Sequence, residues 1–216
     1  MDPAPHTILV HGFLRTRHDM FLLAPRLQKL VPETKVHSFG YPSRKLTLHE
    51  IALQLADFVS TVSRGEKVSF VGHSLGGLVV RALDAMPHHP APLLRLVTLG
   101  TPHQGARVAG LMARLPVLGT FGGPVLQDLL IPPLPAEPRS LRVGCLIGHT
   151  KTRCGYLPLF GRDNDGLVCV DEAVFPACTA ELRTFTFHGL FPFLPGTAHL
   201  SALFLRHGSF SRPANG

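Results

Sequence analysis

Short apolar runs alternate with longer amphipathic stretches along the chain, and this alternation predicts the secondary structure. Apolar runs typical of strands lie at residues 7–10, 36–39, 68–71, 94–99, 141–147 and 182–187. Apolar residues at helical spacing predict helices at residues 20–31 and 75–86, and a third that begins at the capping box of Thr47 and Glu50. Buried strands joined by helical connections predict a mostly parallel six-stranded sheet with helices on both faces.

Residues 111–138 interrupt this alternation. They are rich in Leu, Pro and Gly and carry few charges. The segment is either an irregular crossover packed on the core or a lid that lines an acyl pocket, because long connections in compact domains are often functional. We predict one domain over residues 1–216 with a minimal cap domain or none, and with residues 111–138 as a candidate lid or pocket-lining insertion.

A G-x-S-x-G motif centred on Ser74 lies between the predicted strand at residues 68–71 and the helix at 75–86. In a strand-to-helix turn this tight, the flanking Gly72 and Gly76 tolerate close backbone approach because they lack a Cβ atom. The strained turn exposes the serine hydroxyl above the sheet. Ser74 is therefore the predicted nucleophile, although an ordinary glycine-rich turn has the same residues.

The acid of a serine triad should follow a later strand, and the histidine should come last in the chain. Asp165 lies in a loop after the strand at residues 141–147 and is the predicted acid, although an Asp-Gly turn is the plainer interpretation. Asp163 is its nearest competitor, and Asp171 and Glu172 rank lower.

Thirteen histidines compete for the role of the base. His188 ends the predicted strand at 182–187, so its backbone would be tied to the sheet. His199 follows the loop at residues 189–198, from which an imidazole can reach the sheet edge. We therefore predict His199 as the base, with His188 as the alternative.

An acyl-transfer intermediate needs two N–H donors for its oxyanion. The N–H of Leu75 directly follows the nucleophile, and the N–H of Phe13 follows the His11-Gly12 pair at the end of the first strand. Phe13 and Leu75 are the predicted oxyanion hole.

The charge and the cysteine content limit the kinds of partner and cofactor that we expect. The net charge is +7, but the basic residues are scattered and no aromatic residues interleave with them, so we expect no nucleic-acid partner. Four cysteines without zinc-ligand spacing, and no H-E-x-x-H motif, predict no metal and no cofactor. Reduced thiols are expected, with a Cys169–Cys178 disulfide as the alternative. The first residues lack a signal-peptide pattern, so the expected location is the cytoplasm unless a signal has been removed.

Several of these strings together resemble a known family. His11-Gly12-Phe13, the run from Gly72 to Gly77, the run from Leu99 to Gly105, and Asn164-Asp165-Gly166-Leu167-Val168 are similar to bacterial lipases and esterases of the α/β-hydrolase superfamily. His199-Leu200 resembles the histidine loop of that family. The resemblance covers residues 6 to about 205, and it implies an α/β-hydrolase fold with Ser74, Asp165 and His199 as the triad.

The predicted function is hydrolysis of carboxylic esters through an acyl-enzyme, on short- to medium-chain acyl substrates or polyesters. An acyltransferase or thioesterase with the same triad is the alternative, and a non-catalytic binding module is the third. Phe191, Phe193 and Leu194 are predicted to border the acyl pocket, helped by the apolar residues 115–118 and 129–134. We expect a small-molecule ester or lipid as substrate, at most a transient contact with a lipid interface, and no obligate protein partner.

Overall fold

A computed structural model describes residues 3–115, 121–152 and 154–211 of the chain. The strands are β1 (His6–Val10), β2 (Lys35–Phe39), β3 (Val68–His73), β4 (Leu93–Leu99), β5 (Arg142–Gly148) and β6 (Ala180–Thr184). They form one sheet in the order β2-β1-β3-β4-β5-β6, and every neighbouring pair is parallel. This matches the predicted six-stranded sheet.

Seven described α-helices connect the strands. They are α1 (Leu23–Leu30), α2 (Leu48–Ser63), α3 (Leu75–Ala85), α4 (Arg107–Arg114), α5 (Val125–Leu130), α6 (Val170–Ala173) and α7 (Pro195–His207). Short 3-10 helices lie at Arg17–Met20, Pro158–Phe160 and His188–Phe193. The capping box predicted at the start of α2 is present, because Thr47 and Glu50 each accept from the other's backbone N–H.

The two faces of the sheet build two apolar cores, because successive strand residues point to opposite sides. Ile8 and Phe70 pack under α2 and α3, whereas Leu9 and Val71 pack under α1 and α7. All four side chains are fully buried. Both faces are therefore covered, as expected for a parallel sheet.

The strand order places a crevice at the carboxyl edge of the sheet. β1 lies between β2 and β3, so the connection that leaves β1 and the one that leaves β3 diverge to opposite faces. The helix after β1 packs with one core and the helix after β3 packs with the other. Ligands of open α/β sheets bind in the crevice that forms at such a switch point.

Two boundaries near the end of the chain differ from the sequence prediction. β6 ends at Thr184 rather than at residue 187, because the chain leaves the sheet edge there with Phe185 and Phe187 largely exposed. Helix α7 begins at Pro195, whose fixed φ suits the first turn of a helix, and not after residue 199. Both differences change which histidine can reach the crevice.

The described part of residues 111–138 is anchored to the domain. Val125, Leu126 and Leu129 on α5 are buried in the core, and the Asp128 carboxylate accepts the N–H of Leu48 at the start of α2 at 2.7 Å. Residues 116–120, which hold most of one predicted acyl-binding run, lie outside the described residues. α5 therefore belongs to the body of the domain.

All four cysteines are free thiols, so the alternative disulfide between Cys169 and Cys178 is not formed. Across the described ranges, we find no helix with the length and apolar character needed to cross a bilayer.

Candidate functional site

Ser74 occupies a strained turn between β3 and α3. Its backbone has φ 53° and ψ −121°, a region that costs a non-glycine residue about 1–3 kcal/mol. Three hydrogen bonds hold it there: the Ser74 N–H donates to Leu99 O at 2.9 Å, and Ser74 O accepts from the Thr101 hydroxyl at 2.9 Å and from the Gly77 N–H at 3.1 Å. The predicted nucleophile elbow is thus the conformation observed.

The loop after β1 packs directly against this turn. A Cβ atom built on Gly12 would lie 3.1 Å from the Cβ of Ser74, and one built on Gly76 would collide with the carbonyl oxygen of Val10. The crevice between β1 and β3 can close this far only because both positions lack a side chain.

His11 fixes the orientation of the next peptide unit. Its Nε2 accepts the Tyr41 N–H at 3.2 Å, so the ring proton is on Nδ1, which donates to Gly12 O at 2.9 Å. The Arg15 N–H also donates to Gly12 O, at 3.2 Å. The Gly12 carbonyl and the Phe13 N–H belong to one planar peptide and point in opposite directions. Two donors on the carbonyl therefore set where the Phe13 N–H points.

The ring of His11 is itself held in place. It stacks on Tyr41 with ring centroids 4.1 Å apart, and the Tyr41 hydroxyl donates to His11 O at 2.6 Å. Burial lowers the pKa of His11, against a smaller opposing effect of its bond to Gly12, so the ring stays neutral near pH 7.

Both predicted oxyanion donors adjoin Ser74. Phe13 follows the glycine that packs on the serine, and Leu75 is the first residue of α3. The first N–H groups of a helix have no partner within it and point outward at its positive end. Both N–H groups therefore belong to residues that border the Ser74 turn.

Asp165 and His188 form a buried carboxylate–imidazole pair. His188 Nδ1 and Asp165 Oδ2 are 2.8 Å apart, and the two residues are only 4% and 1% exposed. The other carboxylate oxygen accepts the N–H groups of Leu167 at 3.1 Å and Val168 at 2.8 Å. The His188 N–H also donates to Asp165 O, at 2.7 Å. With Nδ1 donating, Nε2 of His188 is left as a proton acceptor.

The other carboxylates considered for the triad acid are bonded to groups away from His188. Asp163 accepts from the Thr150 N–H at 2.8 Å, the Thr150 hydroxyl at 2.9 Å and the Lys151 N–H at 3.0 Å. Burial alone would raise the pKa of Asp163, but these donors outweigh it and hold the pKa below its usual value. Asp171 pairs with Arg107 at 2.9 Å. Glu172 accepts the N–H of the same arginine at 2.6 Å.

His73 joins the serine turn to the loop of His188. Its Nε2 donates to His188 O at 3.0 Å, and the two ring centroids are 4.9 Å apart. Burial, reinforced by the neighbouring His188, holds the pKa of His73 well below its usual value, so it is a neutral donor. Between Ser74 and His188, both described residues, no side-chain hydrogen bond is formed. Catalytic hydrogen bonds are often long in enzymes without substrate.

Gly100 supplies the space for the buried pair. Its φ is 58°, and a Cβ atom there would lie 2.9 Å from Asp165 Oδ2 and 3.1 Å from His188 Nδ1. A glycine is needed here both for the backbone angle and for the close approach.

The structure does not place His199 near Asp165, and this corrects the sequence prediction. His199 lies on the exposed side of α7, facing a small cavity against Leu30 on α1. The cause is the early start of α7, which draws His199 into a helix, while the early end of β6 frees residues 185–187 to carry His188 over the sheet edge. Pro195 was the sequence signal for that helix start.

The predicted acyl-pocket residues also differ from expectation. Phe191 is fully buried, and its ring edge lies under the pair, 3.1 Å from the Cβ position of Gly100. Phe193 is half-buried against Phe21, with ring centroids 6.1 Å apart, and Leu194 precedes α7. Phe191 therefore supports the site from below and does not line a pocket.

A cleft of about 650 Å³ lies beside the loop after β1, and we call it the basic cleft. Its lining residues include Leu14, Arg15, Tyr41, Arg44, Lys45 and Phe121. Because Leu14 directly follows Phe13, the cleft begins one residue beyond a predicted oxyanion donor.

Comparisons with known proteins agree with this geometry. A sequence profile of the palmitoyl protein thioesterase family matches residues 6–122, which is more than half of the chain. Norfluorocurarine synthase 1 from a Strychnos species is 34% identical over 92 residues, and salicylic acid-binding protein 2 from Nicotiana tabacum is 31% identical over 106 residues. These matches cover 39% and 46% of this chain but only 34% and 40% of the two relatives.

The fold is also that of a solved lipase. The mature form of lipase BlEst2 from Bacillus licheniformis superposes with a TM-score of 0.66 at 23% identity, over 88% of this chain and 90% of that chain. The predicted α/β-hydrolase fold is confirmed by this likeness.

Proposed function

The chain belongs to the palmitoyl protein thioesterase family, and we propose that it hydrolyses carboxylic esters through an acyl-enzyme on Ser74. The observation that carries the proposal is the buried pair of Asp165 and His188, joined through His73 to the strained turn of Ser74. A serine hydroxyl is a weak nucleophile until a base, itself oriented by an acid, takes its proton. These residues supply all three parts.

In the acylation step, His188 Nε2 takes the proton of Ser74 Oγ as the oxygen attacks the substrate carbonyl carbon. The N–H groups of Phe13 and Leu75 stabilise the oxyanion that forms. The tetrahedral intermediate then collapses, the bond to the alcohol oxygen breaks, and His188 returns the proton to the leaving alcohol. Asp165 keeps the imidazole in the required tautomer and stabilises its charged form.

In the deacylation step, water replaces the alcohol and the same groups act again. His188 takes a proton from water, the hydroxide attacks the acyl carbon, and Ser74 leaves with the proton that His188 returns. The products are a carboxylic acid and free enzyme.

A thioesterase is the second candidate, and the family match over residues 6–122 is consistent with it. A thiol leaves more readily than an alcohol, so the same machinery serves both bonds. An acyltransferase would instead hand the acyl group to an added alcohol or thiol, which the partition of product between acid and new ester measures.

Apolar side chains around the loops of the site support an acyl-bearing substrate of short to medium length. Phe187, Leu190 and Leu167 are each more than two-fifths exposed beside Asp165 and His188. From the segment at 111–138, Phe121 lines the basic cleft, which supports a pocket-lining role for that segment. Exposed apolar side chains of this kind also suit a transient contact with a lipid interface.

Labelling with a fluorophosphonate tests the nucleophile, because this reagent bonds to an activated serine. We expect one label per chain and hydrolysis of p-nitrophenyl butyrate by the unlabelled wild-type enzyme, and neither labelling nor hydrolysis in Ser74→Ala. Ser69→Ala is a matched control, since Ser69 is a buried serine on β3, the strand that leads to Ser74. Undiminished hydrolysis by a pure preparation of Ser74→Ala would refute the assignment.

Rates on butyryl esters and butyryl thioesters with the same aromatic leaving group separate the two candidates. A kcat/KM at least tenfold higher for the thioester would favour the thioesterase. A profile from acetate to palmitate esters then gives the acyl length.

A further inference from the structure

We propose that the basic cleft binds an anionic group, a phosphate or a carboxylate, on the alcohol or thiol portion of the substrate. The inference rests on the proposed function, since it adds a specificity site to the reaction at Ser74. It is carried by the charge, the geometry and the position of the cleft.

The residues that line the cleft carry a net positive charge. Arg15, Arg44 and Lys45 all line it, and no carboxylate is among its described lining residues. Arg15 pairs with Asp19 at 3.0 Å, which leaves it partly neutralised. In the described ranges, neither Arg44 nor Lys45 has a carboxylate within salt-bridge distance. Such a focused charge attracts an anion and raises its local concentration.

Arg44 is held in a fixed orientation. Its Nε donates to Phe121 O at 2.7 Å, and its guanidinium carbon lies 3.4 Å from the centre of the Phe121 ring. These contacts use Nε and one face of the group. Its two terminal nitrogens have no hydrogen-bond partner in the described parts of the chain and are available as a fork. An ordered guanidinium fork matches the oxygens of a phosphate or carboxylate and loses little entropy on binding.

The cleft adjoins the reacting centre. The N–H of Leu14 donates to Ser43 Oγ at 3.1 Å, which ties the loop of the oxyanion donor to the chain that carries Arg44 and Lys45. The exposed apolar side chains Phe187 and Leu190 lie on the other loop, next to His188. An acyl chain on that apolar side leaves the basic cleft to the leaving group.

The anionic group has two sources, a water-soluble ester or thioester that carries phosphate or carboxylate, and the headgroup of an anionic lipid. Both present the same chemistry to Arg44 and Lys45, and the experiments below distinguish them.

A matched pair of substrates measures the effect of one negative charge on the leaving group. The butyrate esters of 3-hydroxybenzoate and of its methyl ester share the acyl group and the aromatic ring, and differ by one negative charge. We expect kcat/KM to be about tenfold higher for the anionic ester at low ionic strength, since a charge-assisted contact is worth roughly this factor. The preference should shrink in 1 M salt, where the Debye length is about 3 Å.

Substitutions in the basic cleft then test which residues cause the preference for the anionic ester. Lys45→Gln and Arg44→Gln should each lower the ratio of anionic to neutral kcat/KM by about fivefold, and Lys45→Glu should lower it further. Lys29→Gln is the matched control, an exposed cation on α1 that does not line the cleft, and should leave the ratio unchanged. A ratio near one in the unmodified enzyme, or one insensitive to Arg44 and Lys45, would overturn the inference while Ser74-dependent hydrolysis still stood.

Binding without turnover provides an independent measurement. Calorimetry with phenyl phosphate on Ser74→Ala should detect binding that Lys45→Glu removes, and flotation with phosphatidylglycerol vesicles tests the lipid source. Phenyl phosphate binding without vesicle binding supports a soluble substrate, and Lys45-dependent binding to vesicles supports a lipid. Binding of neither overturns the proposal.

Discussion

Replacing His188 by alanine tests the central geometric result. The change removes the imidazole that we propose as the base, and with it the donor that satisfies Asp165 Oδ2 at 2.8 Å. Loss of a triad histidine typically costs about a millionfold in kcat. We therefore expect hydrolysis of p-nitrophenyl butyrate by His188→Ala to fall to the background rate.

The same change should also destabilise the fold. Asp165 is 1% exposed, and without the imidazole its Oδ2 has no donor while Oδ1 keeps the N–H groups of Leu167 and Val168. A buried acceptor that loses its partner costs about 1–3 kcal/mol, more when it is charged. Urea unfolding followed by circular dichroism should show this as a lower midpoint with an unchanged slope.

His199→Ala is the matched comparison. His199 is exposed on α7 and touches none of the groups around Ser74, so activity should change by less than twofold and stability by about 0.5 kcal/mol at most. The reasoning fails if His199→Ala is as inactive as His188→Ala, or if folded His188→Ala keeps more than a few per cent of the activity.

Three further predictions follow from neighbouring contacts. Gly100→Ala should reduce kcat/KM at least a hundredfold in a folded protein, because its methyl group would press on the carboxylate–imidazole pair; Gly65→Ala, also at positive φ but in open space, is the control and should be active. Asp163→Asn should flatten the acid limb of the stability curve. The folded-state pKa of Asp163 is lowered, so its stabilisation is present above pH ~4 and is lost as the pH falls through the folded-state value; parallel curves for both proteins would contradict this. The alkylation rate of Cys178 should rise with pH through about 7 and then level off, because interaction with the Cys145 thiol lowers the pKa of Cys178 to about 7; a rate that rises only above pH 8.5 would contradict this.

The sheet and the strained turn at Ser74 were predictable from the sequence because both depend on local patterns. Short, mostly apolar runs such as residues 68–71, separated by longer helical patterns, indicate strands buried on both faces, and parallel strands need helical connections between them. The elbow at Ser74 needs a strand, a glycine-flanked serine and a helix in immediate succession, and all three are visible in the sequence. The α/β-hydrolase fold follows from these features together.

The histidine that pairs with Asp165 was not predictable in this way because its position depends on two element boundaries. β6 is an edge strand paired only with β5, so its end is set by where the chain leaves the sheet and not by the hydrophobic pattern. The apolar Phe185 and Phe187 extend that pattern beyond Thr184, although both side chains face solvent. The sequence prediction thus extended the strand to residue 187, three residues too far, and tied the backbone of His188 to the sheet.

The acyl-pocket residues were misplaced for a related reason. An apolar loop beside a catalytic histidine has two uses, to line a pocket or to pack beneath the site, and composition alone does not separate them. Phe191 is drawn into the core because Gly100 and Gly148 leave room for its ring under Asp165. Whether Phe191 lines a pocket or packs beneath the site therefore depends on the three-dimensional position of those two glycines.

Three histidines around the crevice show that the role of an imidazole depends on its hydrogen-bond partners. His11 accepts from a backbone N–H and donates to the Gly12 carbonyl, so it orients an oxyanion donor. His73 is buried without a carboxylate partner and donates to a backbone carbonyl, so it ties two loops together. Only His188 has a carboxylate on Nδ1, which frees Nε2 as an acceptor and stabilises the charged ring. His188 is therefore set apart from the other two histidines by its hydrogen bond to Asp165, a contact across 23 residues of chain that no local pattern specifies.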